Sequence, residues 1–135
     1  MIAYLLDTNI FSYALKPHYP ALTARFEQAL LGSEIAISAV MRAEIRAGQR
    51  RLNANDKRQA MIDKAVLSVP TLDWTSQAAE IYGEIHFQLR STGQVIGILD
   101  TQIAAHALAE NLILVTHNIR HFSRVPGLRL EDWTV

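Results

Sequence analysis

The chain has 135 residues, half of them apolar, with 13 basic and 13 acidic side chains that cancel to zero net charge, and no cysteine. Disulfide scaffolds and thiolate metal sites are excluded. No apolar run reaches the roughly 18 residues of a membrane span, and the neutral total gives no general attraction to polyanions. The size suits one domain over residues 1–135 with one core. The opening MIAYLLDTN has neither a basic start nor a long apolar stretch, so a secretion signal is not expected and a cytoplasmic protein is.

Residues 2–6 (IAYLL) form a short apolar run suited to a buried strand, and the run stops at Asp7. A helix is expected over 9–15 until Pro17 and Pro20 interrupt, and another over 21–31. Ile35 to Ile37 reads as a second strand, with Ser38 as the N-cap of a helix over 39–50. A helix over 55–67 precedes a weak strand at 69–72, where Pro70 demands a strand start or a sheet edge. Thr75 caps the clearest helix, in which Ala78, Ile81, Tyr82, Ile85 and Leu89 keep helical spacing up to Gly93. A helix over 98–110, a strand over 112–115 and a last short strand at Leu128 and Leu130 complete the chain. Strands alternating with helices predict an α/β fold, a three-layer α/β/α sandwich with a central parallel sheet. Sites in such folds form beyond the carboxyl ends of the strands.

Three carboxylates stand out against this frame. Asp7 follows the first strand directly, and its plain alternative role is a turn residue or the cap of the next helix. Glu44 shares a helical stripe with Val40, Met41, Ile45 and Gly48, which predicts a carboxylate within an apolar face. Arg42, Arg46 and Arg50 form a separate stripe, about 200° round from Glu44, fit to track RNA phosphates, to meet a protein partner or simply to face solvent. Asp100 heads the stripe Ile103, Ala104, Ala107 and Leu108. A first-turn acid is favoured by about 0.3–1 kcal/mol through the helix dipole, which explains its place but not an inward direction, and Ile98 and Leu99 argue against a solvent-facing start. Three inward acids at one sheet edge would repel one another and hold a proton. A hard divalent ion, Mg²⁺ or Mn²⁺, removes that conflict and can activate water toward a phosphodiester.

The blocks LLDTN (5–9), ISAVMRAEIRAG (37–48), IGILDTQIAAHA (96–107), LVTHNIRHF (114–122) and RVPGLRLEDW (124–133) occur in this order over nearly the whole chain. Together they resemble the PIN-domain family and, within it, the VapC-type toxins of bacterial toxin–antitoxin pairs. The resemblance implies an endoribonuclease dependent on Mg²⁺ or Mn²⁺, with Asp7, Glu44 and Asp100 as its catalytic and metal-binding residues. It further implies a homodimer, a cognate VapB-type antitoxin that covers the acidic pocket, and an RNA substrate, with initiator tRNA the first to test. Thr8, Asn9, Ser38 and Thr116 match positions that support the site or its loops.

One departure from the family pattern concerns the metal count. Many members carry a further acid after the strand that ends at Val115, where this chain has Asn118 and His121. Asn118 can offer a carbonyl oxygen to a metal or its water, and His121 can touch phosphate, so one metal is favoured over two. Other readings of the same letters are weaker. His117 and His121 stand at zinc-like i, i+4 spacing without a cysteine to assist. A phosphoacceptor domain built on Asp7 leaves Glu44 without a role, while a binding-only relative keeps fold and partner but has lost cleavage. His106 is expected at the edge of the inner stripe and His86 at the surface or an interface. Tyr4, Tyr82, Phe87 and Phe122 read as core or dimer contacts.

Overall fold

A computed structural model describes residues 1–16 and 18–135; Pro17, expected to interrupt the first helix, lies outside the described residues. In chain order the elements are β1 (Tyr4–Leu6), α1 (Thr8–Ala14), α2 (Pro20–Leu31), β2 (Ile35–Ser38), α3 (Ala39–Arg50) and α4 (Arg58–Ser68). There follow β3 (Thr71–Leu72), α5 (Ser76–Ser91), α6 (Ile98–Ala109), β4 (Ile113–Val115), α7 (Ile119–Phe122) and β5 (Leu130–Glu131). The strands pair in the order β3-β2-β1-β4-β5, every pair parallel. Helices flank this sheet, as the alternation of elements predicts.

The central strands are apolar without alternation because both of their faces are covered. Leu5, Leu6, Ile35, Ala36, Ile37, Leu114 and Val115 are all fully buried. Pro70 stands just before the edge strand β3, where it offers its carbonyl to the Ile37 N–H at 2.9 Å and needs no donor of its own. Thr75 caps α5 through a hydrogen bond from the Ala78 N–H at 3.1 Å, which accounts for the well-marked start of that helix.

Local polar chemistry moves two boundaries. The helix expected from residue 55 begins at Arg58. Before it, the side chains of Asn53 and Asp56 accept the N–H groups of Asn55 and Arg58 at 3.1 and 2.9 Å, closing a turn instead. The four-residue α7 carries too short a pattern to be read from spacing. It forms where Phe122 inserts into the core, with 1% of its surface exposed.

In α6 the residues from Ile103 to Ala107 are all buried, as is Thr101. A helix so enclosed has no single inner stripe, and His106, expected at a stripe edge, is fully buried. The first turn departs from expectation in the other direction. Ile98 is 68% exposed, whereas the next residue, Leu99, packs against the core.

The strand order puts β1 at the centre, with β2 on one side and β4 on the other. The chain therefore reverses its winding direction between β1 and β4, and their carboxyl ends splay to leave a crevice. Asp7 follows β1 and Thr116 follows β4 at that point, joined by an Asp7 N–H to Val115 carbonyl bond of 3.1 Å.

Candidate active site

Asp7 does two things at once. Its Oδ1 caps α1 by accepting the Ile10 N–H at 2.7 Å, and its Oδ2 accepts the Thr116 hydroxyl at 2.6 Å. Thr116 is fully buried, and its oxygen in turn accepts the Asn118 N–H at 2.9 Å. Asp7 itself is 5% exposed. Burial raises its pKa above the ordinary carboxylate value, with Asp100 adding repulsion, while the bonds from Thr116 and Ile10 and the proximity of His117 pull it down. The cap and the candidate ligand are thus the same group, and the plain alternative for Asp7 is true without displacing the functional one.

Glu44 lies elsewhere on its helix than the stripe analysis predicts. The buried residues of α3 are Met41 and Gln49, with Ile45 packed against the core. This stripe is rotated away from Glu44, which is exposed. Gln49, a polar residue, is buried on that stripe, where its side chain is hydrogen-bonded to Gln59 and Asp63 of α4. Glu44 nonetheless borders the same pocket as Asp7, a cavity of about 170 Å³ also lined by Thr8, Asn9, Asp100 and Asn118. Its carboxylate has no hydrogen-bond or ion-pair partner among the described residues.

Asp100 reaches the pocket from the open first turn of α6, with 37% of its side chain exposed. Its Oδ2 lies 2.9 Å from His121 Nε2, which is also 3.0 Å from the Ile96 carbonyl. Both neighbours are acceptors, so Nε2 carries a hydrogen and donates to them. His121, standing where an acid was expected, contributes a donor and binds the acid already present.

Oxygen donors dominate the pocket: the carboxylates of Asp7, Glu44 and Asp100, the amides of Asn9 and Asn118, and the Thr8 hydroxyl. Thr8 Oγ1 is buried and lacks a hydrogen-bond partner. This donor set and its orphaned oxygen fit a hard divalent cation. As placed, no three His, Asp or Glu side chains among the described residues stand close enough to share one ion. An ion held here would need the exposed Glu44 and the part-exposed Asp100 to turn toward Asp7.

Of the residues expected to support the site, Thr8 and Asn9 line this pocket. Ser38 is fully buried and caps α3 through the Val40 N–H at 3.1 Å, with its hydroxyl 2.7 Å from His106 Nδ1. It holds α3, hence Glu44, against α6, hence Asp100. Of the arginine stripe, Arg42 donates to Thr71 Oγ1 at 2.9 Å and Arg46 to Asp63 Oδ1 at 2.6 Å, while Arg50 is exposed in the last turn. His117 and His121 diverge, the former toward Asp132 at 3.1 Å. His86 stacks on Tyr82, and Phe87 is 73% exposed on the surface of α5. The sequence analysis missed Tyr13, Tyr19 and the placement of His117, although Asn9 and Tyr13, one helical turn apart on α1, share a face beside Asp7.

A sequence model of the PIN domain matches residues 4–128. The chain belongs to the PIN-domain family. Ribonuclease VapC2 of Rickettsia felis is 36% identical over 130 residues, covering 96% of this chain and 97% of that protein. The tRNA(fMet)-specific endonuclease VapC of Shigella flexneri is 35% identical, covering 99% of this chain and all of the relative. Among solved structures, DNA-bound VapBC from Salmonella typhimurium matches with a TM-score of 0.90 at 32% identity, over 98% of this chain and 99% of the other. The parallel sheet with the pocket at its switch point is therefore a PIN-domain arrangement, and the relatives place this chain in the VapC branch.

Proposed function

We propose that this PIN-domain protein is a VapC-type toxin, an endoribonuclease that uses Mg²⁺ or Mn²⁺ and acts on tRNA through one nuclease domain over residues 1–135. The observation that carries the reading is Asp7, a carboxylate buried at the switch point, raised in pKa, and opening onto a pocket with two further acids. Such a group is costly to ionise without a cation and well suited to hold one. VapC relatives that include tRNA(fMet)-specific endonucleases support the substrate class.

In this reading Asp7 and Asp100 hold the ion, with Asn118 at its margin, and Glu44 holds the ion or orients the attacking water. When bound, the ion supplies charge stabilisation to the phosphoryl oxygens and eases deprotonation of water. Thr116 and the Ile10 N–H fix both oxygens of Asp7, so it meets the ion without reorganising. His121 holds Asp100 by the Nε2–H, a role an acid at that position could not fill without repulsion, which favours one metal over two. Thr8 and Asn9 complete the pocket wall, and Ser38 sets the distance between the helices that carry Glu44 and Asp100.

A VapB-type antitoxin, a homodimer and a cytoplasmic setting complete the proposal. The antitoxin is supported by the VapBC complexes among similar structures; among the described residues no helix is long and apolar enough to cross a membrane. Expression of the chain alone is expected to arrest bacterial growth, and Asp7→Asn to relieve the arrest. The purified protein is expected to cut tRNA with Mg²⁺ or Mn²⁺ and to stop with EDTA. Cleavage that persists in EDTA overturns the metal dependence; a tight antitoxin complex without cleavage of any cellular RNA replaces the nuclease by a binding-only relative.

A further inference from the structure

Beside the carboxylate pocket lies a second cavity of about 300 Å³, lined by Asp7, Asn9, Tyr13, His117 and Asn118. Asp7, Asn9 and Asn118 line both cavities, so the two are adjoining chambers that share the buried carboxylate. Two rings, Tyr13 and His117, stand in its otherwise polar lining, and Tyr19 packs behind them. Tyr13 lies 5.1 Å from Tyr19 between ring centroids, and His117 lies 6.4 and 6.2 Å from the two tyrosines.

The imidazole in this wall is held in place. Thr134 Oγ1 gives its only hydrogen to Asp132 Oδ1 at 2.6 Å, so toward His117 Nδ1, 2.9 Å away, it can act only as an acceptor. Asp132 Oδ2, 3.1 Å from the same nitrogen, accepts as well. Nδ1 therefore carries a hydrogen and donates to both, which fixes the ring plane from the far side of the cavity. A cluster formed only to seal the corner between α1 and α2 would close on itself. Here the rings border open space, and half of the His117 side chain is exposed.

Among the described residues no lysine or arginine lines this chamber, which suits a base better than a second phosphate. Its lining offers flat aromatic surface and two amides that can both donate and accept. A volume at the lower end of small-molecule pockets admits one planar group and excludes a duplex. Single-stranded RNA is recognised in this way, by splaying bases out, stacking them on tyrosine or histidine and bonding their edges.

We propose that the Tyr13–His117 cavity is a nucleobase subsite, taking the unpaired base next to the phosphodiester held at Asp7, with Asn9 and Asn118 bonding its edge. The proposal rests on the nuclease reading above and deepens it: the substrate is an unpaired stretch of RNA, and one flanking nucleotide is read as a base. The probe is a short fluorescein-labelled single-stranded RNA, together with a series in which each position in turn is abasic, bound in Ca²⁺ and followed by fluorescence anisotropy. One abasic position weakens binding to the wild-type chain about tenfold, as expected for the loss of a stacked base. Tyr13→Leu weakens binding of the intact RNA by a similar factor, gains no further loss from that abasic position, and is rescued by Tyr13→Phe, which keeps the ring.

A uniform abasic profile, or losses that add in Tyr13→Leu, overturns the subsite. If Tyr13→Leu does not fold, as judged by its circular dichroism melt, the wild-type abasic profile alone decides. Cleavage of the intact RNA in Mg²⁺ or Mn²⁺ is scored separately. Its absence removes the nuclease reading, while the anisotropy series still tests whether a base is held.

Discussion

At the β1/β4 switch point, a buried carboxylate is held by two donors and still kept above its ordinary pKa. Between α3 and α4, by contrast, the buried amide of Gln49 is satisfied on every side. Its Nε2 donates to Asp63 at 3.0 Å and to Gln59 at 3.1 Å, its Oε1 accepts from Arg46 at 2.7 Å, and Gln59 returns a bond to its carbonyl at 3.0 Å. Both regions bury polar atoms beside the sheet. The α3/α4 region matches each donor to an acceptor and so fastens two helices together. The switch-point region leaves like charges facing one another and a threonine oxygen unpaired, an arrangement that opposes folding and suits a ligand.

Asp7→Asn tests this contrast most severely, because it should harm function and help stability. RNA cleavage falls by at least about 100-fold, since even groups behind metal ligands are worth 10–100-fold. The stability effect follows from the sign of the shift. A carboxylate whose folded pKa lies above its unfolded value contributes stability at low pH, and that contribution is lost as pH rises through the folded pKa. At neutral pH the ionised Asp7 therefore weakens the metal-free fold. The neutral amide raises the melting temperature in EDTA, and Mg²⁺ then stabilises the wild type more than the variant. A lower melting temperature for the variant would show that the hydrogen bonds to Thr116 and Ile10 outweigh the cost of burial.

Gln49→Ala should give the opposite profile. Truncation removes its hydrogen bonds to partners that water can re-solvate and costs about 1 kcal/mol, read as a lower denaturant midpoint, while cleavage per folded molecule is unchanged. A catalytic loss at full folding would mean that the network also sets the position of Glu44 on α3. His121→Ala removes the donor that holds Asp100, and divalent-ion affinity measured by calorimetry falls about tenfold. His121→Asn, which keeps a donor, recovers part of that loss.

The smallest effect is expected at His106, where burial holds the imidazole pKa below its ordinary value against the opposing pull of Glu110. A base whose folded pKa is depressed binds fewer protons in the fold than in the unfolded chain. Stability therefore declines as pH falls below the unfolded value of about 6.5, by at most about 1.4 kcal/mol per pH unit. His106→Gln should flatten chemical denaturation midpoints between neutral and mildly acidic pH; an unchanged slope assigns the acid sensitivity to other groups.

Much of the architecture was legible in the letters because its causes are local. Uninterrupted apolar runs mark strands covered on both faces, Ser38 and Thr75 announce the helices they cap, and Pro70 marks an edge. Asp7 and Thr116 could be placed at strand ends from position alone. Helical phase was less dependable. It put Glu44 in the apolar stripe, whereas α3 buries Met41 and Gln49 instead, the latter bonded to Gln59 and Asp63 of α4 in a meeting no local pattern records. It put Asp100 on an inward-facing start, and Asp100 does line the pocket with Asp7 although Ile98 beside it is exposed.

By itself, then, the sequence determined the elements, their order and the parallel sheet, because periodicity and capping act over a few residues, and it singled out three acids that border one cavity. Tertiary structure alone decided how those acids stand: Asp7 pinned by Thr116, Asp100 held by His121, and Glu44 left open to solvent. It also decided that Tyr13, Tyr19 and His117 meet beside Asp7. These contacts join residues far apart in the chain, and they exist only once β1 and β4 lie side by side.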